Sequence, residues 1–179
     1  MADVIFNTKE NQTIDRNLLI LYLNTGTAEA PVWSAVGKRV SDSSMEYDWG
    51  EESNTDIFGD TYTTMSKPKI TQGFDPWELD AGDKAQLKVW QNSIRNHDTN
   101  AMTNNDMMVA HLYAGTAGTA VFAERYTACA VKPSSLGGAG GGKLAMPIEV
   151  TFGGSRTTGT AALKDGAVTF TPDEQGETA

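Results

Sequence analysis

Residues 18–26 read Leu-Leu-Ile-Leu-Tyr-Leu-Asn-Thr-Gly, a short unbroken apolar run closed by polar turn residues. A run of this length bounded by turn signals reads as a buried strand. The segment 32–40, Val-Trp-Ser-Ala-Val-Gly-Lys-Arg-Val, is its natural partner. Beyond it, residues 44–49 alternate: Met45, Tyr47 and Trp49 point one way, Glu46 and Asp48 the other. A period of two with aromatics on one face and acids on the other predicts a half-buried strand. Lys69–Asp75 alternates again, with Ile70 and Phe74 on one side.

The second half continues the pattern, with strands expected over Met107–Tyr113, Val121–Lys132 and Leu144–Phe152. A turn falls at 114–119, and a glycine-rich connection at 137–142. Ala161–Lys164 and Ala167–Phe170 flank Asp165-Gly166, a pair that tight hairpins favour. One helix is predicted over about residues 81–97, with Asp80 as its cap and Asp83 three residues on, near the positive end of the dipole. Leu87, Trp90 and Ile94 recur at helical spacing, leaving Lys84, Lys88, Gln91 and Arg95 for the outer face. The fold class is mainly β with one α-helix: a β-sandwich or partly open barrel with the helix on its flank. A single domain over 18–170 would follow a polar arm, 1–17, and precede an acidic tail, 171–179.

With 179 residues, 14 lysines and arginines against 23 acids, and a net charge of −9, the chain is poorly suited to gripping nucleic acid or an anionic membrane. The single cysteine, Cys129, rules out a disulfide within the chain. The first residues show no signal-peptide pattern, and no apolar run is long enough to span a bilayer, so folding in the cytoplasm is expected.

Gly137-Gly-Ala-Gly-Gly-Gly142-Lys143 fits most of a phosphate-binding loop. That chemistry needs a serine or threonine next and a helix beyond it, whereas Leu144 and a strand follow here. A hairpin tip or subunit-contact loop is the better reading. His97 and His111 lie in different elements without metal-ligand spacing, and Cys129 sits among small strand residues. No nucleophile elbow is present, and the paired acids read as a solvated face. Neither an enzyme nor a cofactor or metal site is therefore expected. Between Val40 and Ser66 there are seven acids and no lysine or arginine: Asp42, Glu46, Asp48, Glu51, Glu52, Asp56 and Asp60. Repeated around a narrow channel, such a field would keep a passing polyanion from adhering.

Taken in order, LLILYLNTG (18–26), VWSAVGKRV (32–40), MEYDWGEESNTDIFGDTYTTM (45–65), KITQGFDPWELDAGD (69–83) and YTACAVKPSSLGGAGGGKLAMPIEVTFGG (126–154) resemble the major tail, or tail tube, protein of siphophages and prophages, especially of Gram-positive hosts. The succession of segments over 18–170 carries the resemblance, not any one motif. It implies a virion protein whose hexameric rings stack into a hollow tube around a tape-measure protein. A terminator and a tail-tip complex would be its other partners, and DNA only a passing cargo. It also implies lumen-lining roles for Glu46 and Asp48. The loop with Glu51, Glu52, Asp56 and Asp60 would reach a neighbouring subunit or ring. The arm, the loop with Gly137, Gly138, Gly140, Gly141 and Gly142, and the acidic tail are further contact candidates. The sequence shows no added immunoglobulin-like domain, which implies a smooth tube. Contractile tails and injection systems share the fold and remain an alternative. So does a monomeric carbohydrate- or protein-binding sandwich. That reading needs a clustered aromatic surface, and Trp33, Trp49, Trp77 and Trp90 mostly fall where burial is expected.

Overall fold

The structure, a computed structural model, describes residues 5–173, so most of the acidic tail lies outside the described residues. The strands are β1 (Leu19–Asn24), β2 (Trp33–Val36), β3 (Met45–Asp48), β4 (Glu52–Thr55), β5 (Thr61–Thr64), β6 (Lys69–Phe74), β7 (Asn105–Thr116), β8 (Ala120–Pro133), β9 (Ile148–Thr151), β10 (Arg156–Lys164) and β11 (Ala167–Pro172). Nine form one antiparallel sheet in the order β2-β1-β7-β8-β9-β6-β3, with β10 also on β8 and β11 on β10. β4 and β5 form a separate two-stranded ribbon.

Strand β8 makes two layers out of this sheet. One edge of it lies on β7 from Ala120 to Cys129. Its other edge pairs first with β10, from Val121 to Tyr126, and then with β9, from Ala130 to Pro133. Between these stretches Met107 faces Tyr126 while Asn105 faces Cys129, so β8 carries one residue more than β7. Such a bulge reverses the side-chain phase. Val121 and Ala123 therefore point into one core, whereas Tyr126, Cys129 and Val131 all point into the other. The returning chain crosses here at Gly153-Gly154, where added Cβ atoms would lie 2.6 Å from the carbonyl oxygen of Ala128 and 2.8 Å from its nitrogen. Only glycine fits that crossing.

The larger core fills the space between the layers and takes Leu21, Leu23, Val109, Phe74, Trp77 and Val150. The second lies within the curl of β2-β1-β7-β8-β10-β11 and takes Tyr22, Trp33, Met108, Ala123 and Ala161, with Leu163 and Phe170 against them. Strand β11 comes up against β2 without a ladder between them, so the curl stays open. The run at 18–23 is continuous because successive β1 side chains enter opposite cores. Each fully buried leucine contributes roughly 1.5–3 kcal/mol of transfer free energy.

The helix α1 (Lys84–Trp90) runs on as a wider π turn through Gln91–Arg95, and a single turn, α2 (Thr99–Thr103), follows. Its cap is Asp83, whose carboxylate accepts from the Ala85 and Gln86 amides; Asp80 is not the cap. Asp80 is engaged by Lys38 at 2.8 Å and by the Gly82 amide, and these hydrogen bonds hold its carboxyl below its ordinary pKa. The buried face is Ala85, Gln86, Val89 and Ser93, with Trp90 and Ile94 partly covered, while Leu87 is left exposed. Small side chains let the helix lie close to the sheet, and Gln86 satisfies the Asp80 amide and the Glu78 carbonyl.

One further expectation is corrected. Of Leu144–Phe152, only Ile148–Thr151 is a ladder strand. Pro147 offers no N–H; the Leu144 carbonyl instead accepts from Leu79, the Met146 amide donates to Trp77, and Ala145 pairs with Gly137. The N-terminal arm is partly docked: Asn7 donates to the Tyr113 carbonyl and Gly115 to that of Ile5, along the end of β7 that β1 leaves free.

Candidate assembly surfaces

The acid-rich connection between β3 and β6 is not an irregular loop. Its middle forms the ribbon β4–β5, paired Glu52 to Thr64 and Thr55 to Thr61, with every residue exposed. The signal that could have revealed it is Asp56 and Gly59 as turn residues followed by the β-prone run Thr61-Tyr62-Thr63-Thr64. At the tip, Asp56 accepts from the amides of Phe58 at 2.8 Å and Asp60 at 3.0 Å, which fixes the turn. That turn presents Ile57 at 95% and Phe58 at 84% exposure. Glu51 and Glu52 lie at the base of the ribbon, and Asp56 and Asp60 flank its apolar tip.

Glu46 and Asp48 share the outward face of β3, both exposed, with Thr71 and Lys69 opposite them on β6. Two strands on, Lys132 meets Glu149 at 2.7 Å. The outward face of this layer is thus mixed in charge, because β6 and β8 bring lysines that the stretch 40–66 lacks. The reverse face corrects the half-buried expectation. Met45 packs on the core, but Tyr47 and Trp49 are 44% and 50% exposed and stack on each other, centroids 6.2 Å apart. Strand β3 is the outer strand of its layer, and the core between the layers ends beneath it.

The glycine-rich loop is closed by a reciprocal pair of backbone bonds between Gly137 and Ala145, at 3.0 and 2.7 Å. No helix follows it, so no dipole faces a phosphate there. Gly138 lies so close to the Lys143 carbonyl that a Cβ would collide with it, and Gly141 has φ +78°. Gly140 and Gly142 complete the exposed turn. The loop joins β8 to β9, so the sequence-derived contact candidates occupy separate connections of the fold.

Among the described residues, no group of three or more His, Cys, Asp or Glu side chains is placed to hold a metal. No helix of the described residues is long and apolar enough to cross a membrane. Burial pushes the Cys129 thiol up to about 11. His97 follows the helix in a left-handed conformation, φ +49°. One buried polar cluster escaped the sequence reading. Glu124 on β8 is bound by Arg156 of β10, and His111 of β7 lies 3.3 Å away. Burial alone would raise this carboxyl's pKa, but the hydrogen bonds from His111 and Arg156 hold it below its ordinary value. Glu124 gave no sign in sequence because its partners come from two other strands.

No protein-family model matches the sequence, and no curated protein matches it. Solved structures do share its architecture. The sheath/tube terminator of the PVC extracellular contractile injection system, in its extended state, superposes with a TM-score of 0.53 at 8% identity, over 84% of this chain and 99% of that one. The tube-terminating cap of the anti-feeding prophage gives 0.50 at 14% identity, over 87% and 96%. The chain is a β-sandwich with a flanking helix, a fold it shares with tube-terminating proteins of contractile injection systems.

Proposed function

We propose that the chain is a structural protein of a phage or phage-like tail, assembling as hexameric rings that stack into a hollow tube for DNA. The observation that carries this reading is the projecting ribbon. A hairpin with Ile57 and Phe58 at its tip adds nothing to the core of its own chain, and so large an exposed apolar pair marks a contact. Contacts between unlike faces generate rings where the rotation closes and open stacks where it does not. The shared fold and the major-tail-protein resemblance support the same reading, with tape-measure, terminator and tail-tip proteins as partners and the virion tail as location. Glu46 and Asp48 are proposed to face the bore. Glu46→Lys with Asp48→Lys should then slow DNA ejection from assembled particles, and unchanged ejection would remove both residues from the lining.

A second reading is favoured by the two solved structures, a terminator and a cap: one ring closing the end of a tube. Negative-stain electron microscopy with light scattering separates the two. Long hollow tubes establish the polymer, and isolated rings that stop growth establish the cap. A monomer that stays single even with its tail-tip complex refutes both.

A further inference from the structure

Where β8 passes from β10 to β9, the two layers splay and leave a cleft of about 820 Å³. One wall is the stacked pair Tyr47 and Trp49; the floor is Tyr126 and Phe152, set edge to face at 5.0 Å. Two cations border it. Arg156 is half exposed although it binds Glu124, and Lys67 is exposed with no ion pair among the described residues. The Tyr126 hydroxyl is buried beneath the cleft close to Arg156, and no acceptor for its proton lies among the described residues, although buried hydroxyls normally have one. The cleft is thus aromatic, and because Glu124 in its lining offsets Arg156, its uncompensated charge is the positive one of Lys67.

The ribbon tip has the complementary features. Ile57 and Phe58 are apolar, and Asp56 and Asp60 beside them are negative, matching the aromatic lining and Lys67. A chain cannot fill its own cleft this way, because Trp49 and Lys67 stand at the foot of the very ribbon that carries the tip. From Gly50 to Ile57 is seven residues, about 23 Å at strand rise. We propose that the Tyr47–Trp49 cleft receives the Ile57-Phe58 tip of a second copy of this chain. The inference rests on the stacking role given to the ribbon above and supplies its receptor. A tip seated at the foot of the next ribbon is a head-to-tail contact, which continues as an open stack wherever its rotation does not close a ring.

Cysteine trapping on the full chain tests this, since Cys129 is buried and inert. Phe58→Cys protein mixed at high concentration with Trp49→Cys protein should give a disulfide-linked heterodimer on a non-reducing gel. Mixing Phe58→Cys with an exposed cysteine elsewhere, Ser135→Cys, should not. Lys67→Glu should abolish stacking, and combining it with Asp56→Lys and Asp60→Lys should restore it. Tubes or stacks that form with no trapped pair and ignore Lys67→Glu would overturn the cleft as receptor and leave the stacking role standing. Absence of any self-association, trapped or stacked, would overturn both. Quenching of tryptophan fluorescence by an oligosaccharide, lost in Trp49→Ala, without trapping would assign the cleft to a glycan and overturn the proposal.

Discussion

Strand β1 and the ribbon β4–β5 are built from the same strand geometry and stand at opposite extremes of burial. In β1, Leu21, Tyr22, Leu23 and Asn24 are all buried, and its side chains divide between two cores. In β4 and β5 every residue is exposed. The first segment folds the chain; the second adds almost nothing to its stability as a single copy. An isolated two-stranded ribbon is marginal in water, and this one is held only by its ladder, paired hydroxyls and an aspartate-locked turn.

Substitutions should separate the two regions. Leu23→Ala, at a fully buried site, should cost about 2–5 kcal/mol in urea unfolding. A loss below 1 kcal/mol would place β1 outside the main core. Glu124→Gln should cost about 1.5 kcal/mol at neutral pH, the low end for a charged hydrogen bond because Arg156 keeps half its exposure. The carboxyl's folded pKa lies below its unfolded value, so its contribution is present above the ordinary carboxylate range and is lost as pH falls through the folded pKa. The gap between Glu124→Gln and the parent protein should therefore narrow in acid; a gap that widens would show the sign to be wrong. Asp83→Ala should cost about 1 kcal/mol through loss of the helix cap, and Asp80→Ala clearly less. Equal losses would make the two aspartates equivalent. Finally, Ile57→Ser with Phe58→Ser should leave monomer stability within about 0.5 kcal/mol while eliminating stacked assemblies in the electron microscope. A cooperative loss of folding would mean the tip packs on its own chain.

The contrast also marks what the sequence could tell. Leu18–Leu23, Met107–Tyr113 and the Asp165-Gly166 hairpin were legible because burial and turn chemistry act locally, on neighbouring residues. Alternation at Met45–Trp49 correctly gave the two faces, but not that the layer ends beneath Tyr47 and Trp49, since cover is supplied by distant strands. The helix phase slipped for a similar reason. Asp80 and Asp83 look alike as caps until Lys38 and Arg39, far away in the chain, engage the first. Leu87 follows helical spacing yet faces outward, because Ala85, Val89 and Ser93 let the helix lie closer on another side. The contact candidates Glu46, Asp48, Glu51, Glu52, Asp56 and Asp60 could be read as exposed acids. Their division between a rigid sheet face and a projecting ribbon could not.

The bulge at Thr127–Ala128 makes β8 common property of both layers, and that governs how the molecule comes apart. Neither layer can melt alone, because each would have to strip hydrogen bonds from the strand that the other needs. The nine-stranded body should therefore open in one cooperative event, with amides of β6, β9 and β10 sharing the slow hydrogen exchange of β7. The ribbon, joined to that body only through its foot, would exchange freely until something holds it. Exchange at Thr55 and Thr61 would thus act as a built-in reporter of assembly, silent about folding and sensitive to every neighbour that arrives.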